Sequence, residues 1–197
     1  NVVFMDDREM AVVTPEGATF WSLDGTAITH TPTRVTWDPV MAEKAGYKHF
    51  MLKEIVEQPH ALRETILGRV SVDSAQTFLD ELAIGPEDLS AVDKVVMVAC
   101  GTSWHAALVG KFMIEELARI PVEVVIGSEF RYSDPIVDEN TVVLAISQSG
   151  ETADTLAAME EGRRKGAILW SNVNAIGSQA MRIADGFISM QTGPEIG

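Results

Sequence analysis

The sequence predicts an α/β fold, a three-layer αβα domain in which a mostly parallel five-stranded sheet lies between two layers of helices. A short β-meander and connecting helices are expected before this domain. Residues 142–146 form an unbroken apolar run of β-branched and small residues, which is typical of a strand buried on both faces of a parallel sheet. Similar runs alternate with helical patterns through the second half of the chain, and this alternation indicates right-handed crossovers between parallel strands.

The composition indicates a folded protein that would attract neither nucleic acid nor an anionic membrane. The chain has 197 residues, of which 46% are hydrophobic, and its formal net charge is −14. This charge argues against both partners, and no apolar run has transmembrane length. Cys100 is the single cysteine, so no internal disulfide can form and the cytoplasm, a reducing compartment, is the expected location. Because the chain starts with Asn1 rather than Met, we expect it to be a piece of a longer protein.

The first forty residues predict the β-meander. Short segments at residues 2–4, 10–13, 19–23 and 28–37 have strand character, and turn signals such as Asp24-Gly25 separate them. So few strands of this length cannot bury a core by themselves. We therefore expect them to be the edge of a larger domain whose remainder lies upstream.

Residues 41–90 are predicted to form an ordered helical connector, since they are too apolar for a flexible linker. The apolar spacing predicts a helical turn over 40–45 and a helix over 50–56. Pro59 fits the first turn of a new helix. A further helix is expected over 74–82 and should end near Gly85.

Five strands are expected in the following domain, at residues 95–99, 122–126, 142–146, 167–170 and 187–190. Two of them lead into turns rich in glycine and hydroxyl groups, at 101–103 and 147–152, and helices follow, the first over 104–119. A helix N-terminus offers backbone N–H groups and the positive end of its dipole to an anion. Because the carboxyl ends of parallel strands share one edge, both turns should face one crevice.

Helix capping is the simpler explanation for a single hydroxyl in such a turn. Ser147, Ser149 and Thr152, accompanied by Gln148 and Gly150, exceed what capping requires. Neither turn has the lysine of a P-loop or the three glycines of a dinucleotide-binding fold. A small phosphorylated ligand is therefore the predicted occupant.

Other reactive side chains are predicted to be structural. Cys100 is expected to be a small buried thiol with no base beside it, and His105 a structural residue at a helix start. Glu151 would repel an anion, so it is expected to point away and to stabilise the dipole of the helix that it precedes. Glu195 has no sequence-level argument for a role, and His30 is read as an ordinary strand residue.

Five motifs occur in the order found in one enzyme family: YKHFMLKEIVEQP at 47–59, CGTS at 100–103, SEFRY at 128–132, ISQSGETADT at 146–155 and GPEIG at 193–197. Nearly the whole chain resembles the glutamine–fructose-6-phosphate aminotransferases, or glucosamine-6-phosphate synthases, in which a glutaminase domain precedes two sugar isomerase (SIS) domains. The resemblance implies that residues 1–40 are the tail of a glutaminase domain of the N-terminal-nucleophile type. Residues 41–90 would be the connector and 91–197 a truncated first SIS domain.

The resemblance also implies which residues bind substrate. They lie in the two hydroxyl-rich turns, and they are Thr102, Ser103, Ser147, Gln148, Ser149 and Thr152. Trp104 stands where the family often has tyrosine, and little effect is expected because this residue begins a helix rather than forming the turn. No cofactor and no metal are expected.

The activity implied by the resemblance is the conversion of fructose 6-phosphate and glutamine to glucosamine 6-phosphate and glutamate in amino-sugar biosynthesis. Asn1 stands where the family has its nucleophilic cysteine, and the isomerase lysine and glutamate of the family lie beyond Gly197. We therefore expect this chain to bind the phosphosugar without containing a catalytic residue, and to be inactive alone. The implied partners are fructose 6-phosphate and glucosamine 6-phosphate, the remaining domains of the parent enzyme, and a second copy in a homodimer formed through the SIS domains.

Two other classes stay open at this point. A non-catalytic SIS sensor or regulator of sugar phosphates predicts a DNA-binding helix-turn-helix upstream. A small single-domain sugar-phosphate isomerase should lack the connector motif at 47–59. The flanking sequence would distinguish these classes from the aminotransferase.

Overall fold

The computed structural model describes residues 2–34, 43–82, 85 and 89–196. The chain divides into two compact units, Asn1–Asp38 and Pro39–Gly197. Each unit has its own sheet architecture, antiparallel in the first and mainly parallel in the second. They are therefore described separately.

The first unit is a three-stranded antiparallel meander of β1 (Glu9–Thr14), β2 (Gly17–Ser22) and β3 (Ala27–Ile28). The expected strand at 2–4 is wrong, because Val2 makes only an isolated bridge with Thr33. The expected strand at 28–37 is also wrong over its described part: β3 ends at Ile28, and Pro32 cannot donate to a strand ladder. Residues 35–37 lie outside the described residues. No described residue of this unit is fully buried, as expected for strands that cannot form a core alone.

The segment predicted to be a connector contains one continuous helix, α1 (Phe50–Ile66), with Pro59 inside it. The prediction that Pro59 starts a new helix is therefore wrong. Proline in a helix removes the hydrogen bond to the carbonyl four residues earlier; here that residue is Ile55, which is exposed like Pro59, so water can solvate the carbonyl. The expected turn over 40–45 is wrong where it is described, since Ala45 has a left-handed φ of 48°. Val40 and Met41 lie outside the described residues.

The expected helix over 74–82 is also wrong. The chain forms a small hairpin of β4 (Val70–Ser71) and β5 (Gln76–Thr77), followed by a 3₁₀ helix at Asp80–Leu82. The apolar residues 78, 79 and 82 have helical spacing, but Ala75 adopts a left-handed φ of 51° and turns the chain back. Tertiary packing decides the outcome, since Leu82 is buried. Gly85 is not part of a helix, and Pro86 lies outside the described residues.

The predicted five-stranded sheet is confirmed, with all its strands parallel. Its strands, in sequence order, are β6 (Lys94–Ala99), β7 (Val122–Ile126), β8 (Thr141–Ser147), β9 (Ile168–Val173) and β10 (Gly186–Ser189). Their order across the sheet is β10-β9-β8-β6-β7, with every neighbouring pair parallel. The fourth strand is longer than predicted and includes Ser171 and Asn172.

The helices of this domain are α2 (Gly101–Leu117), α3 (Gly127–Phe130), α4 (Ala153–Arg164) and α5 (Gln179–Ile183). Alternate strand residues face opposite sides of the sheet. One face packs Val96, Val143 and Leu169 with Met159 of α4, and the other packs Met97 with Ala107 of α2. The three-layer αβα class is thus confirmed. None of the helices among the described residues is both long and apolar enough to cross a membrane.

The helix expected at Trp104 begins three residues earlier, at Gly101. Gly101 has a φ of 60°, which lets the chain turn into the helix directly after the strand. The first hydroxyl-rich segment therefore lies in the first turn of α2 rather than in a loop before it.

Candidate functional site

The two hydroxyl-rich turns lie side by side at one edge of the sheet. Strands β6 and β8 are neighbours, and Ala99 at the end of one pairs with Ile146 near the end of the other. The chain leaves these strands into α2 and α4, so both helices begin at this edge. A cavity of about 330 Å³ lies there and is lined by residues from both turns. The prediction of a shared crevice is confirmed.

Five of the six predicted substrate-binding residues line this cavity: Ser103, Ser147, Gln148, Ser149 and Thr152. Thr102 is exposed and is not part of the described lining. The lining also includes residues that were not predicted to bind substrate, namely Cys100, Ile146, Thr155, Glu195 and Ile196. A local signal existed for Thr155, which lies one helical turn after Thr152. No local signal identified Glu195 or Ile196, because their place at the cavity depends on the path of the chain after β10.

The hydroxyl groups of the second turn organise its backbone. Ser147 Oγ accepts a hydrogen bond from Gly150 N at 3.0 Å, and Ser149 Oγ accepts one from Glu151 N at 3.2 Å. Thr152 occupies the N-cap position of α4, but its side chain makes no capping hydrogen bond. Its Oγ1 lies 3.4 Å from Ser147 Oγ instead. Capping therefore does not explain Thr152, and its hydroxyl lies at the cavity.

Gly150 brings the second turn against the start of α5. Its φ is 65°, and a Cβ added there would lie 2.6 Å from Cβ of Ser178. Glu151 points the same way: its Oε1 accepts a hydrogen bond from Gln179 N, the first residue of α5, at 2.8 Å. Glu151 thus points away from the cavity lining, as predicted, but the helix start that it contacts is that of α5 and not that of α4, the helix that it precedes.

Cys100 is half-buried at the cavity, rather than fully buried as predicted. It follows β6 directly, so the end of the strand carries the thiol to the cavity edge. Thr155 is buried and donates from Oγ1 to Cys100 Sγ at 3.8 Å. His105 is exposed on α2, where its ring packs edge-to-face on Trp104, and it is not part of the described lining.

The described lining of the cavity offers helix dipoles, rather than basic side chains, to an anion. No lysine, arginine or histidine occurs among the described residues that line it. Helices α2 and α4 both start at its edge, and a helix start carries a partial positive charge and outward-pointing N–H groups. Glu195 is the one acidic side chain in the described lining. Burial, and secondly the charge of Glu54, raise the pKa of the Glu195 carboxyl above its ordinary value.

Relatives with similar sequences span the whole chain. It is 48% identical over 196 residues to a protein of Caldanaerobacter subterraneus subsp. tengcongensis named glutamine–fructose-6-phosphate aminotransferase [isomerizing], covering 100% of this chain and 32% of that protein. A Methanosarcina mazei protein of the same name is 42% identical over 197 residues, with the same two coverages. The chain thus spans about a third of the length of the curated relatives that it matches.

Solved structures and a family pattern agree with these relatives. The C-terminal domain of glucosamine-fructose-6-phosphate aminotransferase from Francisella tularensis is 37% identical with a TM-score of 0.71, over 79% of this chain and 43% of that chain. The sugar isomerase domain of an RpiR transcription factor from Sphaerobacter thermophilus, at 18% identity and a TM-score of 0.55 over 71% of this chain and 74% of that chain, shares the fold. Residues 88–197 match the pattern of the family described as SIS domain, and the chain belongs to this family.

Proposed function

We propose that the cavity binds the phosphate group of a hexose 6-phosphate, either fructose 6-phosphate or glucosamine 6-phosphate. The observation that carries this proposal is the convergence of two helix starts and a row of hydroxyl groups on one cavity without a basic residue in its described lining. Backbone N–H groups and hydroxyls can hold a phosphate in this arrangement. The volume of about 330 Å³ lies at the lower end of the range for small-molecule sites.

The proposed ligand residues are the five predicted ones that line the cavity. Ser147 and Ser149 already accept hydrogen bonds from the turn backbone, so their hydroxyl protons are available to a phosphate oxygen. The backbone of Gln148 holds the turn to the end of β9. Its main-chain carbonyl accepts hydrogen bonds from Asn174 N and Ala175 N, each at 3.1 Å. Binding by Thr102 stays a prediction. This residue is exposed and does not belong to the described lining of the cavity.

We further propose that the chain is the phosphosugar-binding third of a glutamine–fructose-6-phosphate aminotransferase. The proposal is supported by the names of the relatives that match the whole chain. The complete enzyme would convert fructose 6-phosphate and glutamine to glucosamine 6-phosphate and glutamate. The groups that release ammonia and move protons on the sugar would come from the rest of the enzyme, so the isolated chain would bind the sugar without turnover.

The binding proposal is tested by titrating the 197-residue chain with fructose 6-phosphate in a calorimeter. Hydrogen bonds to a charged group contribute about 1.5–3 kcal/mol each, so Ser149→Ala with Thr152→Ala should raise the Kd by a factor of roughly 100 or more. Ser74→Ala with Thr77→Ala removes two exposed hydroxyls from the connector hairpin and should leave the Kd unchanged.

Further titrations separate the phosphate from the sugar. Inorganic phosphate should compete with fructose 6-phosphate, whereas unphosphorylated fructose should not compete at similar concentration. An unchanged Kd in the cavity double variant, with a native amide spectrum, would contradict the assignment of the phosphate to this turn.

We also propose a homodimer and a cytoplasmic location. Exposed apolar side chains recur along one side of α2, at Val109, Phe112, Met113 and Leu117. An apolar row of this kind on a helix is typical of a protein–protein contact.

The proposed cytoplasmic location is supported by the composition. The single cysteine and the net charge of −14 fit a reducing compartment without nucleic acid or an anionic membrane as a partner.

A further inference from the structure

The segment after β10 forms part of the cavity wall. Residues 190–196, here called the strap, follow the last strand, and two of them, Glu195 and Ile196, line the cavity. The sheet holds the first residue of the strap, because Met190 N donates to Val173 O at 2.8 Å.

The middle of the strap is held by the side chain of Asn174, the residue that follows β9. Its Oδ1 accepts a hydrogen bond from Thr192 N at 3.2 Å, and its Nδ2 donates to Gly193 O at 2.6 Å. Asn174 is itself buried. Among the described residues, the hydrogen bonds between the strap and the carboxyl edge of the sheet thus involve residues 190–193.

Helix α1 holds the strap from its other side. Thr65 Oγ1 accepts a hydrogen bond from Gln191 N at 3.0 Å, and Glu54 Oε1 accepts one from Ile196 N at 2.8 Å. The two helix residues are eleven positions apart, three turns of one face and roughly 16 Å along the axis. The two strap residues are five positions apart, and five residues can span up to roughly 16 Å. The strap thus runs antiparallel along one face of α1, and its backbone turns at Gly193, which has a left-handed φ of 72°.

The cavity end of the strap contacts Glu54. Glu195 precedes Ile196, and the charge of Glu54 contributes to the raised pKa of the Glu195 carboxyl, which is consistent with the proximity of the two side chains. The chain just after α1 is also fixed to the last strand, because Arg69 donates to the carbonyl of Ser189 at 2.7 Å. A shift of α1 would therefore be expected to move the strap residues that form the cavity wall.

We propose that the connector helix α1 positions the cavity wall, and that Glu54 is the positioning residue that holds Ile196, and with it Glu195, at the phosphosugar site. A carboxylate accepts a backbone N–H more strongly than a neutral group does. Without this bond, the end of the strap loses its hydrogen bond to α1 and the wall opens. The effect on ligand affinity rests on the proposed function, whereas the effect on the strap does not.

The experiment measures two properties of the 197-residue chain. Hydrogen exchange of the Ile196 amide, followed by NMR without ligand, reports on the strap, and calorimetric titration with fructose 6-phosphate reports on the cavity. Glu54→Ala removes the acceptor, Glu54→Gln keeps a neutral acceptor oxygen, and Thr65→Val removes the acceptor at the far end of the strap. Glu64→Ala is the matched control, since it shortens a glutamate of the same helix that forms an ion pair with His60, also on α1.

In Glu54→Ala we expect Ile196 exchange to accelerate and the Kd to rise, each by roughly tenfold or more. Glu54→Gln should recover most of both losses, which a general loss of folding would not allow. Thr65→Val should accelerate exchange at Gln191 with a smaller rise in Kd, and Glu64→Ala should match the wild type.

Unchanged Ile196 exchange in Glu54→Ala would overturn the inference, and so would an unchanged Kd when the wild type binds. If the wild type does not bind fructose 6-phosphate, the proposed function fails. In that case the exchange of Ile196 alone decides whether Glu54 holds the cavity wall.

Discussion

Gly150 shows how one residue determines the shape of the proposed phosphate turn. Its left-handed φ of 65° is readily adopted only by glycine, and its missing side chain leaves room for Ser178 at the start of α5. Its carbonyl also accepts a hydrogen bond from Ala180 N at 2.9 Å. The turn is thereby packed against α5, with the hydroxyls of Ser147 and Thr152 at the cavity.

Gly150→Ala should lower the free energy of unfolding by roughly 2–4 kcal/mol, from the left-handed φ together with overpacking against Ser178. Gly166→Ala is the matched control, because Gly166 also has a positive φ, of 88°, but a Cβ there meets nothing within 4 Å. That control should lose only about 1–2 kcal/mol. Urea unfolding measures both variants, and equal losses would show that the close approach of Ser178 does not constrain the turn.

At the scale of elements, Arg69 fastens the connector to the last strand of the sheet. One of its guanidinium nitrogens donates to Ser189 O at 2.7 Å, and the other lies 2.9 Å from Ser189 Oγ and 2.6 Å from Glu81 Oε1. The Arg69 side chain is only 13% exposed. A largely buried arginine with several hydrogen-bond partners constrains a packing contact more than an exposed ion pair does. The hairpin after α1 and the sheet are thus expected to unfold together.

This contact predicts a pH dependence of stability. The hydrogen bond from Arg69 lowers the pKa of the Glu81 carboxyl below its ordinary value of 4.5. The folded state then binds the Glu81 proton less tightly than the unfolded state does, so protonation favours unfolding. The stabilisation by Glu81 is present above pH 4.5 and is lost as the pH falls through the lowered pKa.

Glu81→Gln should therefore lower the free energy of unfolding near neutral pH, and its difference from the wild type should shrink with acidification below about pH 4.5. Urea unfolding from about pH 7 to about pH 3 follows this difference. Asp73→Asn removes an equal charge from an exposed position in the same hairpin and is the control. A difference that grows with acidification would contradict the predicted sign.

At the scale of the whole molecule, α2 exposes a row of apolar side chains, at Val109, Phe112, Met113 and Leu117. Phe112 is 68% exposed and Leu117 is 80% exposed, although both belong to a helix that also packs on the sheet through Ala107. Contiguous apolar surface of this kind marks an interaction site. The homodimer proposed above would cover it with the same row of a second copy, in the self-complementary manner of a two-fold interface.

Light scattering should give a dimer mass for the wild-type chain and a monomer mass for Phe112→Asp, because an unpaired carboxylate buried in an apolar contact is costly. Gln58→Glu adds an equal charge at an exposed position of α1 and should leave the mass unchanged. A monomeric wild type would contradict the homodimer. In that case the apolar row on α2 would be expected to contact the part of the parent enzyme that this chain does not span.

The sequence by itself determined the central sheet and most of the candidate site. A buried strand is predicted by consecutive apolar residues, as at 142–146. The turn at 147–152 is predicted to bind an anion from its adjacent hydroxyl residues and Gly150. Such signals are local, so they survive without knowledge of the fold. The local pattern therefore indicated Ser147, Ser149 and Thr152, and the family resemblance added Ser103 and Gln148 to the predicted binding residues.

Only the tertiary structure decided the connector and the wall of the cavity. The helical spacing at 74–82 yields to a hairpin and a buried Leu82, and α1 continues through Pro59. Glu195 reaches the cavity because the strap is held by α1, through a hydrogen bond between residues 142 positions apart in the chain. Local propensities are weak compared with the packing of distant segments, and no pattern of neighbouring residues records which distant segments meet.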